Sequence, residues 1–249
     1  MSDSPVQALK DWYGGLPPVT RFFVTIYVGV GLATSLQYGT RYTFFSWDLI
    51  LGNYELWRLF TGFFFERLTL SLVINLYFFN QTSTQLERDV YTNRKADYAF
   101  FYIFTMAGVS LLSYYRPEFS LSGGLFMAAV YLWSRFFPWV TVNLFFGIRI
   151  SGIYLPWAFL VLDFLQTNTI PLPHVYGIIV AHLFYYLTVE SAGQSGRPLL
   201  TTPAVLRRFF GGAAARTART ATVHAEPNRR DTATTAEAHP WGRGHSLGS

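Results

Sequence analysis

Six apolar stretches occupy most of residues 20–190, and the basic residues fall almost entirely on one side of them. The stretches are Phe22–Tyr38, Leu68–Leu86, Ala96–Tyr114, Phe119–Phe137, Gly152–Leu165 and Val175–Val189. Backbone in lipid must satisfy its own hydrogen bonds, so this pattern predicts an all-α membrane protein, a bundle of six transmembrane helices. An even number of spans puts both termini on one side. With that side cytosolic, it holds Lys10, Arg21, Arg88, Arg94, Lys95, Arg135, Arg149 and eight arginines of the tail, 15 of the 19 basic residues. Arg41, Arg58, Arg67 and Arg116 lie opposite. Without the long tail, which weighs little in the positive-inside rule, the bias is still 7 to 4. Only 13% of residues are charged, against about 25% in a soluble domain. The net charge of +5 sits mainly in the tail, so it is not a nucleic-acid footprint. With no cysteine, and five scattered histidines without an acidic cluster, no metal or cofactor is expected. Residues 1–16 are polar, so the first stretch reads as a signal anchor rather than a cleavable signal peptide.

Three of the stretches make poor spans. A bilayer core of about 30 Å needs about 20 apolar helical residues. The fifth stretch contains Pro156 and Asp163, and the sixth contains His182. At 1.5 Å per residue each reaches only about 21–23 Å. The second is interrupted by Asn75 and ends in the polar run Asn80–Gln85. Either that run is a helix end, or Asn75, Asn80, Gln81, Thr84 and Gln85 line a water-filled vestibule open to the cytosol. Asn80 and Thr84, and likewise Gln81 and Gln85, are four apart and share a helix face. Asp163 is costly at depth unless paired or solvated, so it faces the vestibule or caps a helix end. His182 reads as a satisfied core histidine. Gly177 and Ala181 form a small-xxx-small face for close helix packing.

Residues 39–67 form a long connection rich in aromatics, including Tyr42, Phe44, Phe45, Trp47, Tyr54, Trp57 and Phe60. It is expected to lie in the headgroup region on the non-cytosolic side as short amphipathic helices. From Ser191 onward the composition turns to Ala, Thr, Arg, Gly and Pro, which predicts a disordered cytosolic tail apart from Val205–Phe210 and the extreme C-terminus. This gives three regions: residues 1–20, a membrane domain at 21–190, and the tail at 191–249. In the tail, Trp241, Gly242, Arg243, Gly244, Leu247 and Gly248 suit a short peptide that docks in a groove, although a lone tail Trp has a bland reading too.

Several motifs in order resemble the derlins, the rhomboid-like pseudoproteases of endoplasmic-reticulum-associated degradation. They are Pro17-Pro18-Val19-Thr20-Arg21 before the first span, Glu55-Leu56-Trp57-Arg58-Leu59 in the loop, and Asn75, Phe78 and Leu86-Glu87 in the second span. Tyr131-Leu132-Trp133-Ser134-Arg135 with Pro138, Leu155-Pro156-Trp157, and Gly177 to Ala181-His182-Leu183 continue the match. Ala181 stands where the family usually has a second glycine. The resemblance implies a rhomboid-like six-helix fold in the endoplasmic-reticulum membrane. It implies a role in retrotranslocating misfolded proteins, with Trp57 and Arg58 in an interface loop that helps deform the bilayer. The octet 241–248 resembles an SHP box, which implies binding of the valosin-containing AAA ATPase. Misfolded clients, a membrane ubiquitin ligase complex and the lipid bilayer are the other implied partners, with homo- or hetero-oligomers left open.

An alternative is an active rhomboid-like intramembrane serine protease. Ser120-Leu121-Ser122-Gly123 resembles the rhomboid Gly-x-Ser-Gly motif with its first glycine replaced, and His174-x-x-Gly177-x-x-x-Ala181 resembles the histidine pattern. Ser122 as nucleophile and His174 as base would be the weak candidates. Alignment on Tyr131–Ser134 instead places Gly124 at the nucleophile position. Two residues on a helix is a rotation of about 200°. Non-enzymatic function is therefore the expectation. A small transporter is a weaker third reading, because no internal repeat or charged pathway is visible.

Overall fold

A computed structural model describes residues 5–35, 40–66, 69–144, 147, 149–195 and 198–211. The octet 241–248 lies outside the described residues. The chain is helical almost throughout. A short α1 (Pro5–Gly14) leads to α2 (Pro18–Ser35); the long connection then folds as α3 (Thr40–Thr43), α4 (Trp47–Gly52) and α5 (Arg58–Thr61). Next come α6 (Leu70–Gln85), α7 (Lys95–Leu112) and α8 (Ser122–Phe136), then a small antiparallel hairpin of β1 (Thr141–Asn143) and β2 (Arg149–Ser151). Last are α9 (Leu155–Thr167), α10 (Leu172–Tyr185), α11 (Ser191–Ser195) and α12 (Ala204–Gly211).

Among the described residues, each of the six expected stretches holds an α-helix: α2, α6, α7, α8, α9 and α10. Local chemistry sets their ends. Pro18 opens α2 with a fixed φ and no donor to leave orphaned. Thr69 caps α6 by accepting the Leu72 amide. Asn168, in a left-handed conformation, closes α9.

One expectation is corrected. The sixth helix is not short. Past Tyr185 the chain makes a wide turn at Tyr186–Glu190, closed by Ser191 N–H donating to Tyr186 C=O, and continues as α11. The run Leu172–Gly193 is 22 residues with mean hydropathy 1.4, and among the described residues it alone has the length and composition to cross a bilayer by itself. The fifth, Gly152–Thr167, stays short. The second is also extended by a wide turn, Leu86–Val90, closed by Tyr91 N–H to Leu86 C=O.

The α8 helix is the axis. Every residue from Ser122 to Ser134 is buried, and α10, α6, α9 and α7 pack around it. A helix apolar on all sides belongs in the middle of a bundle. The closest approach is with α10: a Cβ on Gly177 would sit 2.2 Å from Gly124 O, so only glycine fits there. Ala181 is fully buried in the same seam. Around α8 runs an aromatic core that includes Phe23, Phe79, Tyr98 and Tyr102, with the Phe23 and Tyr102 ring centroids 4.1 Å apart.

The connection 40–66 does form short helices, and they are laced onto the α7–α8 turn. Phe45 N–H donates to Phe119 C=O, Leu121 N–H to Gly62 C=O, and Trp47 Nε1 to Ser113 Oγ. The compact unit extends through Gly211 and so takes in α11 and α12, beyond the residue 190 at which the membrane domain was expected to end. Thr202 Oγ1 donates to Asp97 Oδ1, and α12 packs on α7.

Candidate functional site

The polar residues of the bundle separate into two groups at opposite ends of α6. The vestibule expected from sequence is therefore not one lining. Gln81, Thr84 and Gln85 line a cleft of about 530 Å³ at the Arg88 end. Asn75 and Asp163 belong to a different, part-buried cluster at the end where His174 begins α10.

The cleft lies between α6, α8 and the hairpin. Arg88, Asp89, Trp133, Thr141 and Asn143 join the three α6 residues along its wall. Trp133 Nε1 donates to Gln85 Oε1 at 2.9 Å, so one glutamine amide is tied down while Gln81 stays exposed. Asn80 is not in the lining; its Oδ1 lies 3.5 Å from Thr84 Oγ1. The cleft offers amide and hydroxyl groups beside apolar Tyr77, Phe78 and Leu155. Such a lining can hydrogen-bond an extended peptide without demanding a particular side chain.

Below the cleft, a polar thread fixes α2 to α6 and α7. Glu87 is 2% exposed, yet its Oε1 accepts from Val19 N–H at 3.0 Å and its Oε2 from Thr20 N–H at 2.8 Å and Thr20 Oγ1 at 2.9 Å. The carboxylate caps the start of α2, whose Val19 lies 68 residues away in sequence. Thr20 Oγ1 also meets Ser83 Oγ, which meets the hydroxyls of Tyr98 and Tyr102. Sequence reading singled out the Leu86-Glu87 pair without giving Glu87 this role.

The second cluster holds Glu66, Asn75, Ser120, Ser122, Asp163 and His174. Asn75 Nδ2 donates to Glu66 Oε1 at 3.3 Å, and Ser120 Oγ meets Ser122 Oγ at 3.0 Å. Glu66 lies in the loop before α6. Burial pushes its carboxyl up to about 7; hydrogen bonds from Asn75 and Ser122 oppose the rise, and the Asp163 charge adds to it. Glu66 was missed in the sequence because it is a lone acid beside an apolar run. Asp163 neither faces the cleft nor caps its helix: its Oδ2 lies 3.6 Å from His174 Nδ1.

The would-be dyad does not meet in the way the motif suggests. Position 123, not 122, projects onto the imidazole: a Cβ on Gly123 would lie 2.4 Å from His174 Cε1. Ser122, 6% exposed, is turned toward Ser120 and Glu66. A Cβ on Gly124 would meet Val109 Cγ1 at 2.9 Å and Pro173 O at 3.0 Å.

Two further expectations change. His182 does hydrogen-bond, to Tyr131 OH at 2.9 Å through Nδ1, but its ring is exposed rather than in the core. Trp57 and Arg58 part company. Trp57 is 52% exposed, whereas Arg58 is 2% exposed. The Arg58 guanidinium donates to Glu55 Oε2 at 2.5 Å, Phe44 O at 2.9 Å and Arg41 O at 2.8 Å, and stacks over Phe44. Arg58 is the latch of the loop, and Trp57 is its free surface.

The helical bundle thus has a central helix buried from Ser122 to Ser134, a polar cleft at one end and the buried Ser122 at the other. Residues 16–204 match the Der1-like family. The chain belongs to the Der1-like family. It is 29% identical to a probable derlin-1 homolog of Dictyostelium discoideum, covering 98% of this chain and 100% of that protein. Derlin-1 of Arabidopsis thaliana is 32% identical over 78% of this chain and 74% of its own length. Derlin-1 of Mus musculus is 28% identical over 96% and 98%.

Proposed function

We propose that this protein is a six-span component of endoplasmic-reticulum-associated degradation. It binds misfolded proteins and assists their passage to the cytosol. The Arg88 end and both termini face the cytosol, in line with the basic bias of the sequence. The observation that carries the reading is the cleft, whose Gln81, Thr84 and Gln85 offer hydrogen bonds beside apolar walls at that end. The short α9 next to it, only 13 residues long, favours local thinning of the bilayer, which lowers the barrier for a polar segment. Asn75, Asn80 and Asp163, placed elsewhere, act in stability rather than along the path. No covalent step is required. The glycine opposite His174 and the occluded Ser122 support a pseudoprotease. Energy for extraction comes from the valosin-containing AAA ATPase, held by Trp241–Gly248, in company with a membrane ubiquitin ligase.

The test is photocrosslinking from unnatural residues at Gln81 and Gln85 in membranes, with Asp163 as comparison. Client adducts at the two glutamines and not at Asp163 support a conduit through the cleft. Adducts at none of the three leave a scaffold role and refute it. Removing residues 241–249 should abolish ATPase capture while client crosslinks persist. Fluorophosphonate labelling of Ser122 that is lost in His174→Ala would overturn the non-catalytic reading.

A further inference from the structure

The eight-residue α12, Ala204-Val205-Leu206-Arg207-Arg208-Phe209-Phe210-Gly211, has an apolar arc that its neighbours cover only in part. At 100° per residue, Leu206 and Phe210 project together, and Val205 and Phe209 project next to them. Phe210 packs on the core, and Leu206 is half-buried. Val205 and Phe209 are 78% and 84% exposed. The remaining arc carries Arg207 and Arg208. The protein thus holds one half of the apolar face and leaves the other half open, bordered by positive charge.

The position of the helix identifies what covers that half. α12 packs on α7, whose first residue is Lys95, at the same end as Arg88 and Arg94. Asp97 pins it there: one carboxylate oxygen accepts from Thr202 Oγ1 at 2.5 Å and the other from Arg94 Nε at 2.6 Å. With its charge engaged by Arg94, Asp97 leaves Lys95, Arg207 and Arg208 as an exposed basic rim beside the open apolar stripe. A short helix at the end of a membrane bundle, with aromatic and aliphatic side chains between arginines, has the chemistry of an interfacial segment.

We infer that α12 is a membrane-surface anchor, whose Val205 and Phe209 enter the headgroup layer while Arg207 and Arg208 bind anionic phospholipid headgroups. The inference uses the reading of the bundle as membrane-embedded and does not depend on its role in degradation. Each arginine near an anionic surface strengthens association about fivefold, so the contact depends on lipid charge.

The chain has no cysteine, so single probes are clean. Phe209→Cys, and Ala204→Cys on the polar side, would be labelled with an environment-sensitive fluorophore. The full-length protein would then enter nanodiscs of phosphatidylcholine, with or without phosphatidylserine. Both nanodisc faces carry the same lipid, so the result does not depend on sidedness. The position-209 label should be quenched by shallow spin-labelled lipid and shielded from aqueous iodide. Shielding should strengthen several-fold with phosphatidylserine, and Arg208→Glu should remove that gain. The position-204 label should stay open to iodide. Full iodide access at position 209 in both nanodiscs would overturn the inference. So would equal shielding with and without phosphatidylserine. Shielding in lipid-free detergent that rises with protein concentration would assign the face to a second copy, and that too would overturn it.

Discussion

Glu87 makes the sharpest prediction because its geometry fixes both sign and size. The carboxylate meets two backbone amides and one hydroxyl, at 2.8–3.0 Å, inside the protein. A hydrogen bond to a charged group is worth about 1.5–3 kcal/mol net, and a buried donor left unpaired costs a similar amount. Glu87→Ala strips the amides of Val19 and Thr20, while Thr20 Oγ1 keeps Ser83. The loss is therefore set by two amides, about 4 kcal/mol. Glu87→Gln keeps one acceptor oxygen and turns a donor toward the other amide, for about 2 kcal/mol. For a chain of this size 1 kcal/mol moves Tm by about 2–4 °C, so Glu87→Ala should fall by about 10 °C and Glu87→Gln by about half that. The assay is thermal unfolding in detergent micelles, with exposed Asp89→Ala as a neutral control. In a double-mutant cycle, Thr20→Ala and Glu87→Ala should couple by about 1 kcal/mol, because they share a contact. An Ala variant within about 2 °C of the parent, or strict additivity in the cycle, would refute the capping role.

Three other outcomes are expected. The Glu66 carboxyl is raised from 4.5 to about 7 in the folded state, so the folded state holds its proton more tightly than the unfolded one. Stability should then be highest below about pH 4.5, fall by about 3 kcal/mol as pH rises to about 7, and level off beyond it. Glu66→Gln should flatten that slope in a pH series of unfolding midpoints, and an unchanged slope would clear Glu66 of responsibility. Arg58→Lys, which cannot reach both Phe44 O and Arg41 O as the guanidinium fork does, should cost about 2–3 kcal/mol and open residues 40–66 to limited proteolysis, while Trp57→Ala leaves the cleavage pattern unchanged. Gly177→Ala drives a Cβ against Gly124 O and should destabilise by about 3 kcal/mol, whereas Gly29→Ala, with nothing within 4 Å, should gain about 0.5–1 kcal/mol from helix propensity in the same melts.

The helices were legible because apolar run length and sidedness are local signals that survive folding. Their ends were less so: the wide turn at Tyr186–Glu190 lets α10 run on where polar Glu190 suggested a stop. The polar residues of α6 were readable as unusual for lipid. Which of them share a space was not, because Asn75 and Gln81 lie on one helix yet serve opposite ends of it. Glu66 and Glu87 tie distant elements together through their carboxylates, and sequence offered only single acids flanking an apolar segment. Their partners at Ser122 and at Val19–Thr20 come from distant elements. The Ser120–Gly123 motif and His174 stand out in the sequence, and they do lie side by side in the fold. Only three dimensions assign the facing position to Gly123, because adjacent helical residues point about 100° apart.

The two wide turns, at Leu86–Val90 and Tyr186–Glu190, sit at the ends of the two helices that flank α8. Each holds one residue more than an α-helix needs, and each swings an acid onto a partner: Glu87 onto the start of α2, Glu190 Oε1 onto Arg135 Nη2 at 3.3 Å. Register is thus relaxed at the rim and kept in the middle. Loss of one residue inside either turn would convert it to an ordinary α-helical turn, leaving the upstream helix seated on α8 and the downstream segment close to its present register. The bundle can therefore absorb a single-residue length change at these two points, with the loss of one acid contact, where the same change inside α6 or α10 would turn half a helix away from its seam.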